Sequence, residues 1–396
     1  MSKSTTWFCP INNMLPDKAN SGIFSFFHNL KIDWIMFFSV FMIAILGLLT
    51  MSSFESGDIF FEKQLIWLVI SIVVFFVLSF VDYRFLNKTN IVVAIFLVSL
   101  VLLSALFVLG HTVKGAESWF NIGGVSFQPS DPIKLVLIIL FAKYFSRRHV
   151  EIADIRHILV SGFYALTIFT LVFFQPDFGS ALIIFLIWLG MILVSGISKT
   201  HLLIVFVIGA TAFSLLWIYG LEDYQKKRVI NFLHPLADVR GSGYNAYQST
   251  IAIGSGQIFG KGIGYGTQSK LKFLPEYKSD FIFSAYAEEW GLVGVAILFL
   301  LFGIFIWRII ANAYLGATNF EILFGLGLAV LFMSHFLVNV GMSLGLMPVT
   351  GITFPFMSYG GTNLLSSFTG LGILMGMRRY GRDAHKDTIK NEFLGL

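Results

Sequence analysis

HILVSGFYALTIFTLVFFQPDFGSALIIFLIWLGMILVS, residues His157–Ser195, decides the fold. Two apolar runs, 157–174 and 178–195, are separated only by Gln175, Pro176 and Asp177. Proline lacks a backbone donor and stops the first run at that point. Each run approaches the roughly 20 residues a helix needs to cross a bilayer. Two spans joined this tightly make a helical hairpin in lipid.

The same signal repeats on both sides. Apolar runs fall near 32–51, 63–81, 91–110, 132–146, 201–220, 282–307, 321–345 and 355–377. Of 396 residues, 56% are hydrophobic and 12% are charged, with 44 Phe and a mean hydropathy of +0.80. Soluble chains carry about 25% charge, so a polytopic membrane protein is expected: an all-α bundle of about ten transmembrane helices over 31–380. Residues 1–30 and 381–396 are expected as cytoplasmic tails. The N-terminal stretch is polar, is broken by Pro10 and Pro16, and lacks the apolar core of a removable signal. Cys9 is the only cysteine, so no intrachain disulfide supports the fold.

The net charge of +5 does not point to nucleic acid. Basic residues gather in the segments that an even number of spans places on one side, among them Arg147, Arg148, Arg156, Arg378, Arg379 and Arg382. The short segments on the other side, near 52–63 and 111–131, hold only Lys63 and Lys114. The positive-inside rule makes the richer side, with both termini, cytoplasmic. The long polar segment 221–281 is then extracytoplasmic.

That long loop holds Lys226, Lys227, Arg228, Arg240 and a Gly-rich run from Gly254 to Gly266, and basic side chains with glycine-freed amides suit phosphate oxygens. The spacing around Lys261 fails the nucleotide-loop pattern, and the segment faces away from ATP. The alternative is an interfacial turn segment. The loop closes on Leu274-Pro275-Glu276-Tyr277-Lys278-Ser279-Asp280. Ser279 or Asp280 directly before Phe281-Ile282-Phe283 suits a helix N-cap. Asp280 equally suits a general base at the lipid–water boundary, and the two roles are compatible.

Trp119 reads as an interfacial anchor or as a platform for a sugar face or an isoprenoid chain. Lys134 and Asp177 lie at the outer ends of spans, where ionisable groups face a cavity or each other. Lys134 is expected to pair with Asp177 or Asp131, structurally or as a diphosphate contact. His335 and Asn339, four apart on one helix face, read as helix–helix contacts before a metal site. Pro348, Gly351, Pro355, Ser358, Tyr359, Gly360 and Gly361 interrupt the last outer turn. Non-helical backbone at that depth lines a cavity. One cysteine and scattered histidines make no zinc site.

Phe273-Leu274-Pro275-Glu276, Ser279-Asp280-Phe281-Ile282-Phe283, Ala287-Glu288-Glu289, Gln175-Pro176-Asp177-Phe178-Gly179-Ser180 and Phe356-Met357-Ser358-Tyr359-Gly360-Gly361 together closely resemble the signature of the SEDS family (shape, elongation, division and sporulation). The likeness runs from about residue 31 to 380. Gly266-Thr267-Gln268-Ser269 looks more like the elongation branch, RodA, than the division branch, FtsW. Departures are Ser279 for a frequent Thr, Glu117 and Ser118 for basic residues, Asp131 for Glu, and Thr362-Asn363 for a Ser-Ser pair. The resemblance implies a peptidoglycan glycosyltransferase of the bacterial inner membrane that polymerises lipid II. Its partners would be a class B penicillin-binding protein and other membrane proteins of the elongation complex. It puts the essential aspartate at Asp280 and the outer-loop tryptophan, membrane-facing lysine and Gln-Pro-Asp aspartate at Trp119, Lys134 and Asp177. Glu276, Lys261 and Ser358 complete the expected substrate-binding set. Lys134, loop basic residues or a divalent cation (Mg or Mn) would neutralise the leaving diphosphate. The rival reading is a flippase for the same lipid, which needs a polar path across the bundle.

Overall fold

Helix α1, Trp34–Ser52, starts where the Asp33 carboxylate accepts a hydrogen bond from the Met36 amide at 3.0 Å, an ordinary side-chain N-cap. The computed structural model describes residues 32–54, 59–109, 111–113, 116–122, 125–146, 155–221, 225–226, 229–230, 232 and 243–394. Contacts divide the chain after Ile32, and all the helices and strands described belong to the unit Asp33–Leu396. The expected tail 1–30 lies outside the described residues.

After α1 come α2 (Ile59–Ser79) and α3 (Thr89–Leu109). A three-stranded antiparallel meander follows: β1 (His111–Val113), β2 (Ala116–Ile122) and β3 (Val125–Phe127). Then come α4 (Ser130–Ser146), α5 (Ile155–Phe173), α6 (Phe178–Val194) and α7 (Lys199–Leu215), the last ending in a π turn, Leu216–Gly220. α8 (Tyr244–Ser255) and the single turn α9 (Thr267–Lys270) occupy the long polar segment. α10 (Ile282–Tyr314), α11 (Asn319–Ser343) and α12 (Gly361–Leu394) complete the bundle.

Each of the ten apolar runs contains a helix. Among the described residues, seven helices are long and apolar enough to cross a membrane, and α6 is a shorter apolar helix of 17 residues. The α5–α6 hairpin stands as expected, and its turn is pinned: the buried Gln175 amide donates to the Leu103 carbonyl of α3 at 2.8 Å. Three expectations change. Residues 355–360 are not helical, so the last helix starts at Gly361 and its backbone continues to Leu394, through the expected tail. The segment near 111–131 carries the small sheet. The polar segment 221–281 contains α8 and α9.

α11 is the central helix, packed by α4, α6 and α10. Phenylalanines fill the space between α10, α11 and the α11–α12 connection: Phe302 stacks on Phe336 at 4.2 Å, and Phe305 meets Phe332 at 5.1 Å and Phe356 at 5.3 Å. Lipid is as apolar as these rings, so packing and ring geometry rather than the hydrophobic effect hold the bundle together. Each pair adds about 0.5–1.5 kcal/mol. α7, in contrast, leaves Leu203, Phe206, Val207 and Ile208 exposed, as expected of a lipid-facing surface.

α1 and α10 run antiparallel. The end of α1 meets the start of α10, where Ser53 donates to Glu289. The start of α1 meets Arg308, roughly 28 Å further along α10 at 1.5 Å per residue. There the buried Asp33 carboxylate accepts from Arg308 at 2.5 and 2.9 Å, from Asn312 at 2.7 Å and from Arg378 at 3.5 Å. This network locks three helices at the end of the bundle remote from Asp280.

Candidate active site

The ledge that carries Asp280 is built from backbone. Glu276, at φ +49, turns the chain so that its carbonyl receives the amides of Ser279, Asp280 and Phe281 at 3.1–3.2 Å. The N-cap position of α10 is therefore Phe281, and no side chain caps the helix. The expected capping by Ser279 or Asp280 is not realised, because the Glu276 turn places both one step too early. Asp280 is half-buried and Glu276 is exposed, with its carboxylate accepting from Ser279 Oγ at 3.1 Å.

The connection Leu344–Gly360 forms the facing wall. Ser358 Oγ donates to the Ser279 carbonyl at 2.6 Å and accepts from the Phe354 amide at 2.8 Å. The Tyr359 amide donates to the Lys278 carbonyl at 2.9 Å. Asn339 Nδ2 of α11 donates to the Asp280 carbonyl at 2.8 Å and the Ile352 carbonyl at 2.6 Å. Gln64 of α2 braces the wall by donating to the Ser358 carbonyl at 3.0 Å and accepting from the Gly360 amide at 3.2 Å. Gly351 has φ +76, and a Cβ there would lie 3.6 Å from Asp280 Oδ2. Lys278 lies over the Phe60 ring at 4.2 Å. The broken turn before α12 thus lines the Asp280 site, as its prolines and glycines suggest.

The Gly-rich run is a clamp. Fully buried Glu288 accepts from Lys261 Nζ at 2.7 Å, from the Thr267 amide at 2.9 Å and from the Gln268 amide at 3.1 Å. Glu289 accepts from the Gly264 amide at 3.1 Å and Ser53 Oγ at 2.5 Å. The Lys261 and Gly262 amides donate to the Glu288 and Glu289 carbonyls, both at 3.0 Å, freed where Gly291 (φ +64) breaks α10. A Cβ on Gly260 would fall 2.1 Å from the Glu289 carbonyl oxygen. Within this run the Lys261 ammonium and the Gly264 amide are taken up by two carboxylates of the chain itself, and the Lys261 and Gly262 amides by two backbone carbonyls.

Lys134 pairs with Asp131 at 3.0 Å, both buried, so the alternative partner Asp177 is not the one used. Asp177 caps α6 through the Ser180 amide at 3.0 Å and accepts from Gln128 Nε2 at 2.9 Å. The Lys134–Asp131 pair lines a cavity of about 10 Å³, the space of one water, with His335, Asn363, Ser366 and Ser367. His335 Nδ1 lies 3.3 Å from the Thr353 carbonyl, and Asn363 donates to Thr353 Oγ1. Trp119, half-buried, sits on β2 opposite His111 of β1. The sheet joins the start of α12 through Thr362, which takes the Gln128 amide at 3.3 Å.

The expected residues therefore gather at helix starts at one end of the bundle: Asp280 before α10, Asp177 before α6, Lys134 in the first turns of α4 and Ser358 before α12. The α11–α12 connection and one face of α11 link the Asp280 ledge to the Lys134 cavity, since His335 and Asn339 are one helical turn apart. The sequence reading missed what Asn339 and Gln64 hold. A polar residue within an apolar run was the available signal. Among the described residues no group of three His, Cys, Asp or Glu is arranged to hold a metal.

Comparison with known proteins bears on the family and the fold. The cell cycle protein family FtsW/RodA/SpoVE matches residues 26–383. Stage V sporulation protein E of Bacillus subtilis is 34% identical over 334 residues, 83% of this chain and 89% of that protein. Peptidoglycan glycosyltransferase MrdB of Escherichia coli K12 is 37% identical over 289 residues, 72% of this chain and 77% of that protein. Among solved structures, a chain of a peptidoglycan synthase complex that coordinates polymerisation and crosslinking superimposes with a TM-score of 0.76. It is 30% identical and covers 88% of this chain and 98% of its own. The rod shape determining protein RodA of Thermus thermophilus gives 0.66 at 29% identity, covering 88% and 96%. A half-buried aspartate on a backbone ledge, walled by a broken turn within an all-α multi-pass membrane fold, and a family match over nearly the whole length lead to one conclusion: the chain belongs to the FtsW/RodA/SpoVE family.

Proposed function

We propose that this chain is a peptidoglycan glycosyltransferase that polymerises lipid II on the outer face of the bacterial inner membrane, with Asp280 as the general base. The observation that carries the reading is the ledge: three segments of the chain fix the backbone around Asp280, which stays half-buried. A base fixed in this way is suited to proton transfer, an effect of typically 10²–10⁴ in rate. Relatives named peptidoglycan glycosyltransferase support the reaction class.

In this reaction Asp280 takes the proton of the GlcNAc 4-hydroxyl of one lipid-linked chain. The oxygen forms a bond to the anomeric carbon of the second, and the bond from that carbon to undecaprenyl diphosphate breaks. The diphosphate departs with the electron pair. One displacement inverts an alpha-linked donor into a beta-linked glycan. Trp119 is suited to stack on a sugar. Asp177 and Ser358 support the site as helix cap and backbone brace, and the exposed Glu276 lies at its rim. Lys261 and Lys134 are each held by a carboxylate (Glu288 and Asp131), so they shape the site before they contact substrate. Among the described residues no group of three His, Cys, Asp or Glu could hold a metal ion, so a divalent cation (Mg or Mn) at the leaving diphosphate would be held by the diphosphate oxygens with one or two side chains.

The Gly266-Thr267-Gln268-Ser269 run supports an elongation role. A deletion strain that rounds up supports it, and one that filaments points to division. The distribution of arginine and lysine supports cytoplasmic termini. The likeness to a chain of a synthase complex supports a class B penicillin-binding protein as partner. The chain reconstituted with such a partner on lipid II should yield glycan polymer on a gel. Lipid II crossing liposomes with no polymer formed would overturn the reading in favour of a flippase.

A further inference from the structure

We propose that Asn339 is the positioning residue of Asp280. The inference rests on the reading of Asp280 as the base. Asn339 is fully buried on α11, and its Nδ2 donates to two carbonyls far apart in sequence, Asp280 at 2.8 Å and Ile352 at 2.6 Å. Both acceptors are carbonyl oxygens, which fixes which end of the amide faces them. Asn339 Oδ1 is buried without a hydrogen-bond partner among the described residues. Leaving a buried acceptor without a partner is costly, so this orientation is held for its donors.

Two peptides are thereby fixed against each other. One is the aspartate's own. The other follows Gly351, whose left-handed backbone (φ +76) brings the wall to where a Cβ would be 3.6 Å from Asp280 Oδ2. Asn339 sets the spacing between the carboxylate and the wall it lies against. Ser358 holds the preceding peptide, at Ser279, to Phe354. It does not reach the Asp280–Ile352 pair. Only a short side chain with two N–H donors in one plane satisfies both carbonyls. Aspartate has the same shape and no donor, and glutamine has both donors on a stem one carbon longer.

The test is glycan polymerisation by the full chain with its transpeptidase partner, at varied lipid II, for Asn339→Ala, Asn339→Asp, Asn339→Gln and Asp280→Ala. Rates are taken per folded molecule, counted by size exclusion and thermal melt. Asn312→Ala, which removes a buried amide at the remote end of α10, is the control for stability alone. Displacing a reacting group by about 1 Å costs on the order of 100-fold. Asn339→Ala and Asn339→Asp are therefore expected to lower kcat about 10- to 100-fold, with KM within about twofold. Asn339→Gln should recover part of the rate, and Asn312→Ala should keep kcat. Wild-type kcat in Asn339→Ala beside an inactive Asp280→Ala overturns the positioning role alone, as does an equal kcat loss in Asn312→Ala. Wild-type rate in Asp280→Ala overturns the reading of the base itself. Should Asn339→Ala fail to accumulate, Asn339→Gln decides: lowered kcat at unchanged KM supports the role, and unchanged kcat or a rise in KM alone overturns it.

Discussion

Asp280 and Lys134 are both ionisable residues at the mouths of spans, and the structure treats them oppositely. Asp280 is half-buried on a ledge fixed by other residues' hydrogen bonds, the arrangement the proposed base requires. Asp280→Asn keeps the shape and removes the proposed base. Its polymerisation rate should fall by about 10²–10⁴ while its melting temperature stays near wild type, measured on lipid II and by thermal melt. Lys134 is buried against Asp131 in a cavity with room for one water. Removing one partner of a buried pair costs about 3–5 kcal/mol. Lys134→Met should therefore lower the melting temperature, and Lys134→Met with Asp131→Leu should recover much of the loss. A double variant as unstable as the single would contradict the structural role. Both residues could be picked out from their positions in apolar runs. Which acid Lys134 chooses could not, because Asp131 and Asp177 lie equally close to a span end in sequence. Asp177 is lost to the pair only because a helix starts at Phe178 and needs a cap.

At the scale of elements, the clamp formed by α8, the Gly-rich run and the first turns of α10 is the part most misread from sequence. Glycine and lysine together suggest an anion site, and here the anions are Glu288 and Glu289 of the chain itself. Gly260→Ala puts a methyl group 2.1 Å from a backbone oxygen, at a φ of +81 that alanine disfavours. We expect faster amide exchange across 256–270 in this variant, read by hydrogen–deuterium exchange, and a lower polymerisation rate, since the clamp leads directly into the Asp280 ledge. Unchanged exchange would show that the clamp tolerates the strain. The apolar helices were legible throughout, since composition alone marks twenty-residue runs. The strands at 111–127 were not, because β1 and β3 have three residues each and the seven of β2, AESWFNI, do not alternate apolar with polar. α8 was hidden by a polar sequence whose helical face is small.

For the whole molecule, the two ends of the bundle divide the work. The Asp33–Arg308–Asn312–Arg378 network ties α1, α10 and α12 at the end remote from Asp280. Asp33→Asn weakens it by leaving two arginines without their carboxylate. Its melting temperature should drop by an amount matching about 3–5 kcal/mol, with the rate per folded molecule retained. A large loss of specific activity would mean that the ends are coupled.

The Gln64 brace also sets a timetable. Gln64 is buried, and its hydrogen-bond partners are Ser358 and Gly360, 294 and 296 positions further along the chain. At a synthesis rate of roughly 5–20 residues per second, the ribosome takes about 15–60 s to deliver them. During that interval the α2 amide sits in a growing bundle without its partners, and the wall beside Asp280 does not yet exist. A nascent chain stalled before Ser358 would hold α1 to α11 yet lack both partners of Gln64 and the close of the wall beside Asp280. The wall beside Asp280 therefore closes only after α11 has been made.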